Sequence, residues 1–118
     1  MRDVSILTDN GVNLESALEL LGDLSFYDET IESFVSEQET RVPAIKEYLE
    51  KQDMPNYAIL VHAMKSDSKY LGFTKLAELS YEHELASKAN NVDEVKKKFN
   101  ELMKETDRIT ALAKDYLK

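Results

Sequence analysis

The stretch Val95-Lys-Lys-Lys-Phe99-Asn-Glu-Leu102-Met-Lys-Glu-Thr106-Asp-Arg-Ile109-Thr-Ala-Leu-Ala113-Lys-Asp-Tyr116 places its core-type residues four and three apart, in strict alternation. On a helix, such a seven-residue repeat keeps one stripe turned to its neighbours along the whole length. It also favours small crossing angles, as in up-down bundles. Asn90-Asn91 break the preceding pattern, and Asn91 with Glu94 three residues on has capping-box spacing.

Working back along the chain, Phe73 to Ala89 reads as a helix with Leu76, Leu79, Ser80, His83, Ala86 and Ser87 on one stripe. Asp53 followed by Pro55 is a start signal for another helix, which Gly72 ends just after Leu71. Before it, Tyr27, Ile31, Phe34, Val35, Gln38, Val42, Ile45 and Leu49 form one apolar stripe. Pro43 lies within that stripe, but the stripe keeps phase across it, which predicts a continuous, kinked helix. Ser25 with Asp28 suggests its cap. Asn13 is expected to cap a short helix that Gly22 closes, and residues 1–12, with no clear period, are expected to be irregular. Helices joined by such short turns run antiparallel to their neighbours. The expected fold is an all-α, antiparallel up-down four-helix bundle with a short additional N-terminal helix, forming a single domain over residues 1–118.

Composition supports this reading. Three glycines and two prolines are too few for a turn-rich β fold. There are no cysteines, which excludes disulfides, thiolate catalysis and cysteine-bound zinc. No apolar run approaches the ~20 residues that span a bilayer, and Met1–Asp9 is too mixed for a signal peptide. A cytoplasmic protein without membrane insertion is expected. The net charge of −8 opposes nucleic-acid and anionic-lipid binding. Lys96-Lys97-Lys98, flanked by Glu94 and Glu101, reads as a solvated helix face.

The chemistry concentrates in residues 57–72. On a helical wheel Tyr57, Leu60, Met64 and Leu71 point away from His62, while Ala58, Lys65, Ser66 and Lys69 share its side. The wheel therefore displays one imidazole beside two ammonium groups. Asp67 lies about 140° from His62, toward the buried side, with no partner that the sequence identifies. His83 falls on a core stripe and reads as a structural, hydrogen-bonded residue. Di-iron bundles need a Glu three residues before each of two histidines, but residue 59 is Ile and residue 80 is Ser, so no metal site is expected. No P-loop is present, and Ser66 lacks a predicted pocket for hydrolytic work. What remains is His62 as a nucleophile. Imidazole with an ordinary pKa of ~6.5 is mostly neutral at pH 7 and offers a nitrogen lone pair to a phosphoryl group. Lys65 and Lys69 stand where they would balance the added charge. The competing reading is a helical docking or scaffold bundle without phosphate chemistry.

The run Tyr57-x4-His62-x-Met64-Lys65-Ser66-x5-Gly72-x3-Leu76 resembles the signature of histidine-containing phosphotransfer (HPt) domains. The core of that signature is His, a large apolar residue two on, Lys three on, a small residue four on and Gly ten on. The likeness continues through Glu84, Ala86 and Lys88 to the two asparagines, and upstream to Gly11-Val12-Asn13, Leu21-Gly22 and Tyr27. It implies that His62 is the phosphoacceptor and Lys65 the nearby cation, that Ser66 leaves room for an incoming domain, and that Gly72 permits a tight turn or a close helix approach. It also implies response-regulator receiver domains and a hybrid sensor histidine kinase as partners. No cofactor is expected on this chain, with Mg²⁺ belonging to the receiver and no ATP site here. Ala58, Ile59, Ser66 and Lys69 are candidate partner-binding residues beside His62, together with residues of the Tyr27–Leu49 helix. A monomer is expected.

Overall fold

Six helices and no strand make up the computed structural model, which describes residues 2–118. They are α1 (Ser5–Thr8), α2 (Leu14–Leu21), α3 (Leu24–Glu50), α4 (Met54–Leu71), α5 (Thr74–Lys88) and α6 (Val92–Leu117). The long helices pack α3 on α4 and α6, α4 on α5, and α5 on α6, in a bundle 44 Å long.

Most boundaries follow from local chemistry. Asn13, Asp53 and Asn91 each accept a backbone N–H of the first helical turn, offsetting the free donors there. For α3 the cap is Asp23, whose Oδ1 accepts Phe26 N–H at 2.8 Å, rather than Ser25. Gly22 takes φ +96°, which turns the chain sharply enough for α3 to begin two residues earlier than expected. Asp28 is left to accept the Tyr116 hydroxyl and pair with Arg2. α3 runs unbroken through Pro43. Residues 5–8 form one helical turn where no period was visible, because a single turn is too short to show one. Leu7 and Val12 anchor this segment in the core.

The stripes read from the sequence form that core. Tyr27, Ile31, Phe34 and Ile45 from α3 meet Tyr57, Val61, Met64 and Leu71 from α4, and Val95, Leu102, Ile109 and Tyr116 from α6. The Tyr27 ring packs edge-on against Tyr116, and its hydroxyl donates to the Leu71 carbonyl at 2.9 Å, satisfying an acceptor at the end of α4. Gly72 follows in the left-handed conformation, φ +80°. Its carbonyl accepts Asn13 N–H at 2.8 Å, and a Cβ at position 72 would collide with the Asn13 carbonyl. The turn and the close approach both demand glycine, and together they tie α2 to the end of the helix that carries His62.

Candidate functional site

α4 and α5 meet along a seam, and His62 stands on its outer edge with 54% of its side chain exposed. The group that holds it comes from α5. Glu84, with only 3% of its side chain exposed, accepts from His62 Nδ1 at 2.8 Å and from Lys65 Nζ at 2.6 Å. Lys88, one turn further along α5, reaches the same Glu84 oxygen as His62, Oε2, at 2.7 Å. One carboxylate thus gathers an imidazole and two ammonium groups. Burial raises the Glu84 pKa, but the hydrogen bonds from Lys65, Lys88 and His62 outweigh that cost and hold it down to about 2. Glu84 is therefore ionised at neutral pH and can only accept. That fixes the proton of a neutral His62 ring on Nδ1 and leaves the Nε2 lone pair for the solvent side.

The other residues expected beside His62 separate into distinct places. Ala58 shares the side of His62 on the wheel but is only 6% exposed. The wheel angle is similar to that of Lys65, and α5 packs along this side of α4. Ala58 instead joins Ile59 and His62 in lining a groove between α4 and α5. Lys65 itself is mostly covered, its ammonium lying 5.1 Å from the centre of the Tyr81 ring. Ser66 is half-buried. Lys69 is exposed and lines a different groove, with Asn13, Leu20 and Tyr81. The walls of the groove at His62 come from α4, α5 and the turn after α5, with none from α3. Asp67 finds its partner on α3, where Arg41 Nη2 donates to it at 2.8 Å and to Glu37 at 2.6 Å. This is a clamp between α3 and α4, remote from the imidazole's hydrogen bonds.

Glu84 and Lys88 are the functional candidates to which the sequence assigned no role. A signal existed in their i,i+4 spacing, which places acid and base on one face of α5. What the spacing does not give is the rotation of α5 that turns this face toward His62.

Chemically, the site offers an accessible nucleophilic nitrogen, a fixed opposite face and two cations. His62 borders an open groove and not an enclosed cavity. Comparison with curated proteins finds no match, and comparison with solved structures finds none either. The family model described as Hpt domain, by contrast, matches residues 29–112, a span that takes in His62, Lys65, Glu84 and Lys88. The chain belongs to the Hpt domain family, the histidine phosphotransfer modules of phosphorelays.

Proposed function

We propose that His62 accepts a phosphoryl group from the aspartate of one response-regulator receiver domain and passes it to the aspartate of another. The observation that carries this reading is the Nδ1–Glu84 hydrogen bond on a half-exposed ring, which leaves Nε2 as the nucleophile. In the forward step the Nε2 lone pair attacks phosphorus and the aspartyl oxygen–phosphorus bond breaks, returning a free carboxylate to the receiver. The Nδ1 proton stays in place, so the ring gains positive charge facing Glu84. The phosphoryl group carries its negative charge outward, toward the ammonium groups of Lys65 and Lys88. A cationic phosphoimidazole is a good leaving group, which suits a carrier that must release its load.

In this role the chain is a phosphoryl carrier without an ATP site of its own, and Mg²⁺ belongs to the receiver. The same reading takes it as a cytoplasmic monomer that receives phosphate from a hybrid sensor histidine kinase. No helix among the described residues is long and apolar enough to cross a membrane, which is compatible with that setting. Ile59, Ser66 and Lys69, with Ala58 beneath them, form the partner-facing surface. The four long helices are read as an up-down antiparallel bundle. In support, Tyr27 meets the end of α4 while Gln38, further along α3, meets Met64 nearer its middle.

Incubation with a phosphorylated receiver domain tests the proposal. Radiolabel should pass to the unaltered protein and not to His62→Gln. Equal labelling of the two proteins rejects His62 as the acceptor.

A further inference from the structure

Lys65 and Lys88 both pair with Glu84, but solvent reaches them very differently. The Lys65 side chain is 15% exposed and that of Lys88 62%. Hydrogen bonding does not account for the difference. Among the described residues, the Lys65 ammonium has one acceptor, Glu84 Oε1 at 2.6 Å. Lys88 likewise has one, Glu84 Oε2 at 2.7 Å. What distinguishes Lys65 is an aromatic ring, that of Tyr81, whose centre lies 5.1 Å from Nζ.

Tyr81 stands on α5 three residues before Glu84, so the ring and the carboxylate rise from one face of one helix. Both reach the same ammonium. A lysine stem has many rotamers, and a single hydrogen bond at its tip leaves the ammonium free to exchange Glu84 for water. An aromatic face attracts the cation without competing for its N–H donors. The ring therefore lengthens the time that Lys65 spends on Oε1. With Oε1 occupied in this way, Oε2 stays with His62 Nδ1 and Lys88. Burial is not what keeps an aromatic residue at this position, since Tyr81 is 48% exposed.

We infer that Tyr81 is a positioning residue for phosphoryl transfer, whose ring holds the Lys65 ammonium on the Glu84 oxygen that His62 does not use. The inference rests on His62 being the phosphoacceptor and on the charge of Lys65 assisting it. Tyr81 acts through Lys65 and needs no contact with the phosphoryl group.

A double-mutant cycle tests this, because side chains that act through one another are not additive. Label transfer to His62 is timed with two donors. A phosphorylated receiver domain must dock, whereas phosphoramidate reaches an exposed imidazole without docking. Tyr81→Leu and Tyr81→Gln both remove the ring from a half-exposed position. Either should slow transfer about threefold, the worth of a cation–π contact near the surface. The factor should be the same with both donors, because the charge it concerns lies beside His62. Tyr81→Phe keeps the aromatic face and should transfer at the parent rate. In a Lys65→Ala background, Tyr81→Leu should cause no further slowing, because the ring has no ammonium left to hold. Circular dichroism checks that the variants stay folded. Parent rates in the ring-free variants overturn the inference, as does equal slowing by Tyr81→Leu with and without Lys65. A loss confined to the receiver donor would make Tyr81 a docking contact and also overturn it. Failure of the unaltered protein to take label from either donor is a different result. It rejects the phosphoacceptor reading, and this inference with it.

Discussion

The molecule holds two histidines on facing helices, and their surroundings are opposite. His83 on α5 is 1% exposed and both of its ring nitrogens are engaged. Its Nε2 donates to the Lys98 carbonyl at 3.1 Å, so Nδ1 is the acceptor for the Tyr57 hydroxyl at 2.8 Å. His62 on α4 has one nitrogen engaged and the other open. The contrast teaches that reactivity here is set by what is left unsatisfied. His83 has no lone pair to offer and serves as a polar strut between α4, α5 and α6. The neighbouring residue on α5, Glu84, is just as buried but turned by one 100° step, and that step puts a carboxylate behind His62 in place of a hydroxyl and a carbonyl.

The largest expected effect breaks the contrast at its functional end. His62→Gln should abolish acceptance of phosphate from a receiver, with the folding midpoint nearly unchanged because the side chain is half in solvent. His83→Leu should do the reverse. It leaves the buried Tyr57 hydroxyl without its partner and removes the side-chain contact to the Lys98 carbonyl, which keeps its helical bond, so denaturant titration should show a loss of about 1–3 kcal/mol, while His62 still takes label. Next comes the group that makes the two rings differ. Glu84→Gln removes the charge that faces the phosphorylated ring and frees the Nδ1 proton. Hydrogen bonds to charged groups are worth about 1.5–3 kcal/mol, which predicts transfer slower by roughly 10- to 100-fold. Transfer by Glu84→Gln at the parent rate would show that the carboxylate holds the ring without assisting it.

How much of this contrast the sequence reveals depends on the reach of periodicity. A stripe at three-and-four spacing reports which face of a helix is apolar, and that suffices for the order of the long helices, most caps and the burial of His83. It also separates His62 from the core. It does not report which helix faces a given polar side chain, because packing around the bundle axis settles that. Asp67 illustrates the point. Its angle on the wheel predicts partial burial, but its partner Arg41 lies on another helix and is itself mostly buried there. Glu84 is a stronger case. A lone glutamate in an amphipathic helix is an unremarkable surface residue until the Lys65 and His62 side chains are placed around it. Ala58 is a third case: it shares the side of His62 on the wheel, and the packing of α5 against α4 covers it.

The two sites should also separate by pH. Burial lowers the pKa of His83 from its ordinary 6.5, so the unfolded chain takes up a proton there before the native protein does. Its contribution to stability is complete above about pH 6.5 and is lost as pH falls below that value. Glu84 is depressed from 4.5 to about 2, so its contribution is complete above pH 4.5 and is lost between there and about pH 2. The loss at His83 therefore begins at a higher pH than the loss at Glu84. Unfolding free energies should therefore begin to fall below about pH 6.5, in an upper stage, and fall further below pH 4.5, in a lower one, each group adding a slope of no more than ~1.4 kcal/mol per pH unit for one proton. His83→Gln should remove its share of the upper stage and Glu84→Gln its share of the lower. A variant that flattens the other stage would show that the sites are coupled through Tyr57 and the seam.

The smallest expected effect concerns the cations. Lys65 lies under Tyr81 with 15% of its side chain exposed, whereas Lys88 is 62% exposed on the other Glu84 oxygen. Removing Lys65 withdraws one positive charge from the cluster that Glu84 gathers beside His62. It also leaves Lys88 as the only ammonium on Glu84, so Lys88 is held there more firmly and is less free to meet a phosphoryl group. Both consequences act in the same direction. A charge pair near a protein surface is worth about 1 kcal/mol, so Lys65→Ala should slow transfer or shorten the life of the phosphohistidine roughly fivefold. Lys65→Arg keeps the charge and should recover most of the loss. Equal rates and adduct lifetimes in Lys65→Ala, with unchanged helicity, would remove Lys65 from the chemistry and leave it the role His83 already has, that of a polar contact holding α4 against α5.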